Sequence, residues 1–264
     1  MSRINSTFTK LSNKNKKALI PFITAGDPHP EMTLDLLHAL VDSGADMIEL
    51  GIPFSDPMAD GPVIQRASER ALANNVGICQ TIDLVKEFRT KNKTTPIILM
   101  GYANPIEAIG VDNFVKLIKD AEVDGVITVD YPPEESVDFV ELLQKNNIDS
   151  IFLLSPTTED KRVQLIIEQA TGFIYYVSLK GVTGSSNIDI KQVTERVGNI
   201  RKFTKMPIGV GFGVRDAKTA KEVASFADAV VIGSKIVLEV ENSKKEDLIG
   251  NIKNLMGEIK EAIQ

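Results

Sequence analysis

A chain of 264 residues with 43% apolar and 25% charged side chains has the composition of a globular protein, able to bury roughly 70–75% of the surface its unfolded form exposes. Its formal net charge of −6 argues against a nucleic-acid partner, and no apolar run approaches a membrane span of ~20 residues. The single cysteine, Cys79, excludes an internal disulfide, which suits a reducing compartment, and the cytoplasm is the expected location.

The N-terminal stretch MSRINSTFTKLSNKNKK is basic and lacks the apolar centre of a secretory signal; it predicts a short helix with Phe8 and Leu11 on one face. Eight apolar, β-branched runs then follow: ALIPFIT from 18, MIELGIPF from 47, PIILMGY from 96, GVITVDYP from 125, SIFLLS from 150, FIYYVS from 173, MPIGVGFG from 206 and AVVIGS from 229. They are nearly continuous rather than alternating, as in parallel strands buried on both faces. Amphipathic segments separate them, such as PEMTLDLLHALVDSG, with Pro30 placed for the first helical turn and Gly44 for the C-terminal cap.

The run starts are 29, 49, 29, 25, 23, 33 and 23 residues apart, and each gap holds a helical crossover. Eight such units predict an α/β fold, a closed (β/α)8 TIM barrel forming a single domain over 1–264, with an N-terminal helix and an insertion after strand 2. A doubly wound open sheet is the alternative. The 49-residue gap accommodates a loop and two helices, GPVIQRASERALANN and ICQTIDLVKEFRTK.

That gap opens with ELGIPFSDPMADG, residues 49–61. Glu49 belongs to an apolar strand, where a carboxylate is costly unless compensated, and Asp56 and Asp60 lie in the loop beyond it. In these barrels the chemistry sits where strand C-termini meet the following loops. One reading is structural: Glu49 satisfied by backbone donors, with the two aspartates capping turns. The other is a pair of positioned carboxylates for proton transfer, Glu49 having its pKa raised by an apolar wall that includes Ile48 and Leu50.

Glycine-bearing turns close the sixth, seventh and eighth runs: GVTG (181–184), GFG (211–213) and GS (233–234), the last leading into the helical segment KIVLEV. Glycines let backbone N–H groups approach an anion, and a helix N-terminus favours negative charge. Their joint placement predicts a phosphate site. The glycines of GVGFGV, at 209, 211 and 213, do not have dinucleotide-fingerprint spacing.

The stretch ELGIPFSDPMADGPVIQRASERAL resembles the signature of the tryptophan synthase α-subunit family, and PFITAGDP (21–28), LMGYANP (99–105), DYPPEES (130–136), GVTG and GFGV follow in the family's order across the chain. The resemblance implies a TIM barrel that cleaves indole-3-glycerol phosphate to indole and D-glyceraldehyde 3-phosphate. It implies no cofactor or metal in this subunit, and a partner β subunit dependent on pyridoxal phosphate in an α-β-β-α heterotetramer. The reaction is a retro-aldol cleavage: indole C3 is protonated, positive charge at the ring N–H is stabilised, and the glycerol C3′ hydroxyl is deprotonated. Glu49 is then the acid/base and Asp60 the charged group beside the indole N–H; Asp56 is not assigned to the chemistry. Substrate binding falls to Phe22 and Met100 as walls of the indole pocket, Tyr175, Thr183 and Gly184, Gly211, Phe212 and Gly213, and Gly233 and Ser234. Tyr176 is expected to point away, towards the helices. Residues 179–189 form a candidate lid.

Two rival readings stay open at this stage. A Schiff-base aldolase would use Lys180, just past the sixth run. Alternatively the chain serves mainly as an interaction subunit that activates its partner, docking through the strand-2 insertion and DYPPEES. A metal-dependent aldolase is disfavoured because the only histidines, His29 and His38, precede the second run.

Overall fold

The computed structural model describes residues 2–177, 190–211 and 213–264. The first strand, β1 (Ala18–Thr24), is buried along its whole length and is flanked by β2 (Ile48–Gly51) and, on its other side, by β9 (Ala229–Ile232). All pairings are parallel, in the order β5-β4-β3-β2-β1-β9-β8-β7-β6, where β3 is Ile97–Gly101, β4 Gly125–Thr128, β5 Asp149–Ser150, β6 Phe152–Leu154, β7 Ile174–Val177 and β8 Ile208–Gly211.

The two ends of that order, β5 and β6, are halves of the fifth apolar run, split at Ile151. Its first half pairs with β4 and its second with β7. The Ile151 N–H still donates to the Val126 carbonyl at 3.0 Å, so one chain segment joins the sheet's two edges and the predicted barrel closes. Closure leaves no strand edge to template aggregation.

Alternation along the strands divides the apolar side chains into two cores. Met47, Ile98, Ile127, Phe173, Tyr175 and Val231 fill the barrel, whereas Ile23, Ile48, Leu50, Leu99 and Tyr176 pack outward with the helices. Tyr175 and Tyr176 therefore face opposite ways, as a period of two requires. Helix α1 (Arg3–Ser12) plugs the N-terminal end of the barrel with Ile4 and Phe8. Burying each of those side chains contributes about 1.5–3 kcal/mol. Leu11 packs only partly buried at the same cluster.

Local signals explain some helix boundaries. Helix α2 (Pro30–Asp42) begins on a proline whose missing N–H costs nothing there, and Gly44 lies just beyond its end at φ +97°. The strand-2 insertion contains α3 (Pro62–Ala73) and α4 (Ile78–Lys91), the two helices expected from the spacing. One short helix was not anticipated: α5 (Ala103–Ile109) follows β3 directly, before α6 (Val111–Asp120). Its N-terminal Ala103 N–H is capped by the Asp130 carboxylate across 2.8 Å, a partner 27 residues away that no local pattern reveals. Helix α7 is Val137–Lys145, α8 Asp160–Gln169, α9 Ile190–Ile200, α10 Ala217–Ala224, α11 Ser234–Asn242 and α12 Leu248–Ala262.

Asp124, just before β4, is the buried anchor of the N-terminal face. It accepts from Arg89 of α4 at 2.6 Å, from Arg3 of α1 at 2.8 Å and from the Ile97 N–H at 2.8 Å. This cluster ties two helices and two strands together far from the C-terminal face.

Candidate active site

Glu49 lies on β2 between Ile48 and Leu50, but those neighbours face the outer core. Its side chain therefore projects into the barrel, level with Phe22 on β1 and Ile98 on β3. The wall that desolvates it is made by the adjacent strands, not by Ile48 and Leu50 as the sequence suggested. Glu49 is 0% exposed, and neither carboxylate oxygen has a hydrogen-bond partner among the described residues. Burial without compensation disfavours the anion and pushes its pKa up to about 8. The structural alternative required backbone donors to satisfy this carboxylate, and none is present among the described residues.

Tyr175 shares the interior with Glu49. Burial, and secondarily the Glu49 charge, hold its hydroxyl well above the usual phenol range. Its ring lies flush against β8: any Cβ at Gly211 would collide with the Tyr175 hydroxyl. Gly211 is thus required for side-chain packing at this level, in addition to any role at the strand end. A similar close approach occurs at Gly51, where a Cβ would come within 2.6 Å of the Phe22 ring.

Above this layer a small cleft opens between β1, β2, β3 and α3. Phe22, Met100 and Asp60 line it together, joined by Thr24, Tyr102, Ile64 and Ser68. Asp60 sits on the loop just before α3. Its Oδ2 accepts a hydrogen bond from the Tyr102 hydroxyl at 3.0 Å, and that hydroxyl in turn accepts from the Ala59 N–H at 3.2 Å. Burial raises the Asp60 pKa, opposed by the Tyr102 hydrogen bond. Gln65 donates to the Asp60 carbonyl at 2.8 Å and fixes the backbone of the same turn.

Asp56, in contrast, is exposed and accepts from the Ser55 hydroxyl at 2.5 Å, while its carbonyl accepts from the Met58 N–H. It shapes the turn and stays out of the cleft.

The first helix of the insertion is a rigid wall. Ala67 of α3 packs against Phe22 and Val237, and charged groups brace its outer side. Arg70 reaches the buried Asp27 at 2.6 and 3.1 Å and Glu241 of α11 at 2.8 Å; Arg66 grips Glu241 at 2.7 and 2.8 Å. Such an ion-pair network is worth more than isolated surface pairs because its geometry is fork-to-fork.

Helix α11 opens at Ser234 immediately after Gly233, with no side chain capping it. The N–H groups of Ile236 and Val237 donate to the Gly233 carbonyl. The helix begins beside Phe22, where its dipole favours negative charge. Gly213, half-buried at φ +83°, stands after the adjacent strand. Thr183, Gly184, Lys180 and Phe212, with the candidate lid over 179–189, lie outside the described residues.

Sequence reasoning overlooked Tyr102 and Thr24. Each follows a chosen wall residue by two positions, Met100 and Phe22, so the same alternation carries them to the cleft. Among the described residues no group of three or more His, Cys, Asp or Glu could hold a metal, and no helix is long and apolar enough to cross a membrane.

The family model for the tryptophan synthase alpha chain matches residues 8–264. The chain is 58% identical over 263 residues to the tryptophan synthase alpha chain of Janthinobacterium sp. (strain Marseille), covering 100% of this chain and 99% of the relative. It superposes on the tryptophan synthase subunit alpha of Legionella pneumophila with a TM-score of 0.93 at 43% identity, over 100% and 98% of the two chains. A chain of tryptophan synthase from M. tuberculosis, in an aminoacrylate-bound form, gives a TM-score of 0.90 at 31% identity and full coverage of both. Matches of this extent leave no part of the barrel unaccounted for: the chain belongs to the tryptophan synthase alpha chain family, whose reaction cleaves indole-3-glycerol phosphate to indole and glyceraldehyde 3-phosphate in tryptophan biosynthesis.

Proposed function

We propose that Glu49 and Asp60 carry that cleavage as a two-carboxylate retro-aldol site. The observation that supports it best is the uncompensated burial of Glu49: a carboxyl with a pKa of about 8 holds a proton at neutral pH and can give it up. In the first step Glu49 transfers its proton to indole C3, and the ring becomes a cationic indolenine whose N–H donates to the Asp60 carboxylate. In the second, the Glu49 carboxylate takes the proton of the C3′ hydroxyl. The bond between indole C3 and C3′ breaks, its electron pair neutralises the indolenine, and the C3′ carbon leaves as the aldehyde. Glu49 ends protonated, ready for another cycle.

Asp60 is worth most in this role because its cleft is water-poor, and Tyr102 orients it. Phe22 and Met100 would hold the flat indole ring, with Tyr175 below. The phosphate would sit at the N-terminus of α11, on Gly233 and Ser234, with Gly211, Phe212, Gly213, Thr183 and Gly184 completing its surroundings. The braced α3 keeps the acid loop in register with that helix.

Membership of this family implies a β-chain partner. The finer reading is an α-β-β-α heterotetramer in the cytoplasm, with pyridoxal phosphate in the β chain and no cofactor in this one, the chain acting as one catalytic domain over 1–264. Met58, 78% exposed on the insertion, supplies an apolar contact at the rim suited to that docking. The test is indole release by wild type, Glu49→Gln and Asp60→Asn with a β chain present. Loss of turnover in both, with substrate still bound, supports the assignment; undiminished turnover in Glu49→Gln rejects it.

A further inference from the structure

Thr24 closes β1 in the cleft, yet the scheme above gives it no task. Ile23 packs into the outer core, so Thr24 turns to the same side as Phe22. It is 2% exposed, it lines the cleft, and among the described residues its hydroxyl oxygen has no hydrogen-bond partner. A threonine hydroxyl normally finds a partner when buried, often a carbonyl of its own chain. Its partner across the β1–β2 ladder is Gly51, which presents no side chain to it. A buried hydroxyl left unpaired in a cleft is the mark of a group kept for a ligand.

The ladder also says which part of the ligand it meets. Strand β1 lies between β2, which carries Glu49, and β9, which leads into α11. Phe22 is level with Glu49, and Thr24 with Gly51, one layer nearer the mouth. Accepting the two-carboxylate reading, on which this step rests, the C3′ hydroxyl is at Glu49 and the phosphate is at the N-terminus of α11. The remaining polar group of the substrate is the C2′ hydroxyl, between those two points along the glycerol chain. We propose that Thr24 is a specificity residue that hydrogen-bonds the C2′ hydroxyl, selecting an indole whose three-carbon chain carries that group.

The C2′ hydroxyl takes no part in the bond cleavage itself, so a substrate lacking it still reacts and reads out recognition alone. The experiment compares indole-3-glycerol phosphate with its 2′-deoxy analogue, using wild type, Thr24→Val, Thr24→Ser and Glu49→Gln, all with a β chain present. Wild type is expected to prefer the hydroxylated substrate by roughly 10–100-fold in kcat/KM, the size of one buried hydrogen bond. Thr24→Val loses that preference: it falls tenfold or more on the natural substrate and stays within about twofold of wild type on the analogue. Thr24→Ser keeps the preference, and the melting temperature of Thr24→Val equals or exceeds that of wild type, because an unpaired buried hydroxyl has been removed.

Equal losses on both substrates would make Thr24 a packing residue and overturn the proposal. An undiminished preference in Thr24→Val, with Glu49→Gln inactive, would overturn it while leaving the two-carboxylate site intact. Wild-type turnover in Glu49→Gln would remove that site and this inference with it.

Discussion

Asp124 and Glu49 are carboxylates withdrawn from water at different levels of one barrel, with opposite treatment. Asp124 is held by two guanidinium groups and a backbone N–H, at 2.6–2.8 Å. Glu49 has nothing. The first is the way a buried charge is made to join elements: its partners come from α1, α4 and β3, and the cost of desolvation is offset within the cluster. The second leaves the cost standing, and the molecule responds by keeping the proton. A stabilising cluster and the proposed acid/base differ here in their partners among the described residues, not in burial.

The comparison breaks first on activity. Glu49→Gln is expected to lower kcat for indole release by roughly 10²–10⁴-fold, the usual contribution of a general acid/base, whereas Asp124→Asn, in the fraction that folds, should retain kcat within a few-fold. Steady-state indole release by the two purified variants, each with a β chain, decides this. Comparable losses of kcat in both would erase the distinction.

On stability the order reverses. Asp124→Asn leaves Arg89 and Arg3 facing a neutral amide and should cost about 3–5 kcal/mol in urea unfolding. For Glu49→Gln the size of the effect depends on pH. The folded-state pKa, about 8, lies above the ordinary value of 4.5, so between these values the unfolded chain releases a proton that the folded chain keeps. Wild-type stability therefore falls as pH rises through that window, and a glutamine does not titrate. The two proteins should have similar stability near pH 4.5, and the variant should lead by roughly 3–5 kcal/mol above pH 8. Parallel pH–stability curves would show that Glu49 ionises in the folded state as it does in the unfolded one.

A smaller effect sharpens the contrast from the side of Asp60, which among the described residues has one side-chain partner where Asp124 has two. Tyr102→Phe removes that hydrogen bond and should reduce kcat/KM about tenfold, with the kcat profile shifted towards higher pH as the Asp60 carboxylate loses a donor. Unchanged pH dependence would mean that Tyr102 is a wall of the cleft and nothing more. The smallest effect concerns the exposed pair between Arg162 of α8 and Glu134 of the DYPPEES segment, 2.8 Å apart. Arg162→Ala should change the unfolding free energy by less than about 1 kcal/mol, and a larger loss in the same urea titration would contradict its treatment as a solvent-screened contact.

Much of this was legible in the residues themselves. The eight apolar runs and the helical periodicity between them pointed to a parallel α/β fold, a barrel before the open-sheet alternative, because buried parallel strands are apolar on both faces, and α3 and α4 followed from the length of one gap. Glu49 stood out because a carboxylate in such a run is expensive, and Asp60 through the family motif that begins there. The family's motifs then named the reaction. What the linear pattern left undecided were relations between distant segments. Ile48 and Leu50 flank Glu49 in sequence but face away from it, so its apolar wall had to come from β1 and β3. The break of the fifth run at Ile151, the capping of α5 by Asp130, and the Tyr102–Asp60 hydrogen bond all join residues brought together by barrel closure. Local propensity and hydrophobic period are encoded within a few residues and can be read there. Whether a buried polar atom finds a partner depends on chain segments tens of residues away, and only the closed barrel decided that Asp124 is satisfied while, among the described residues, Glu49 and Thr24 are not.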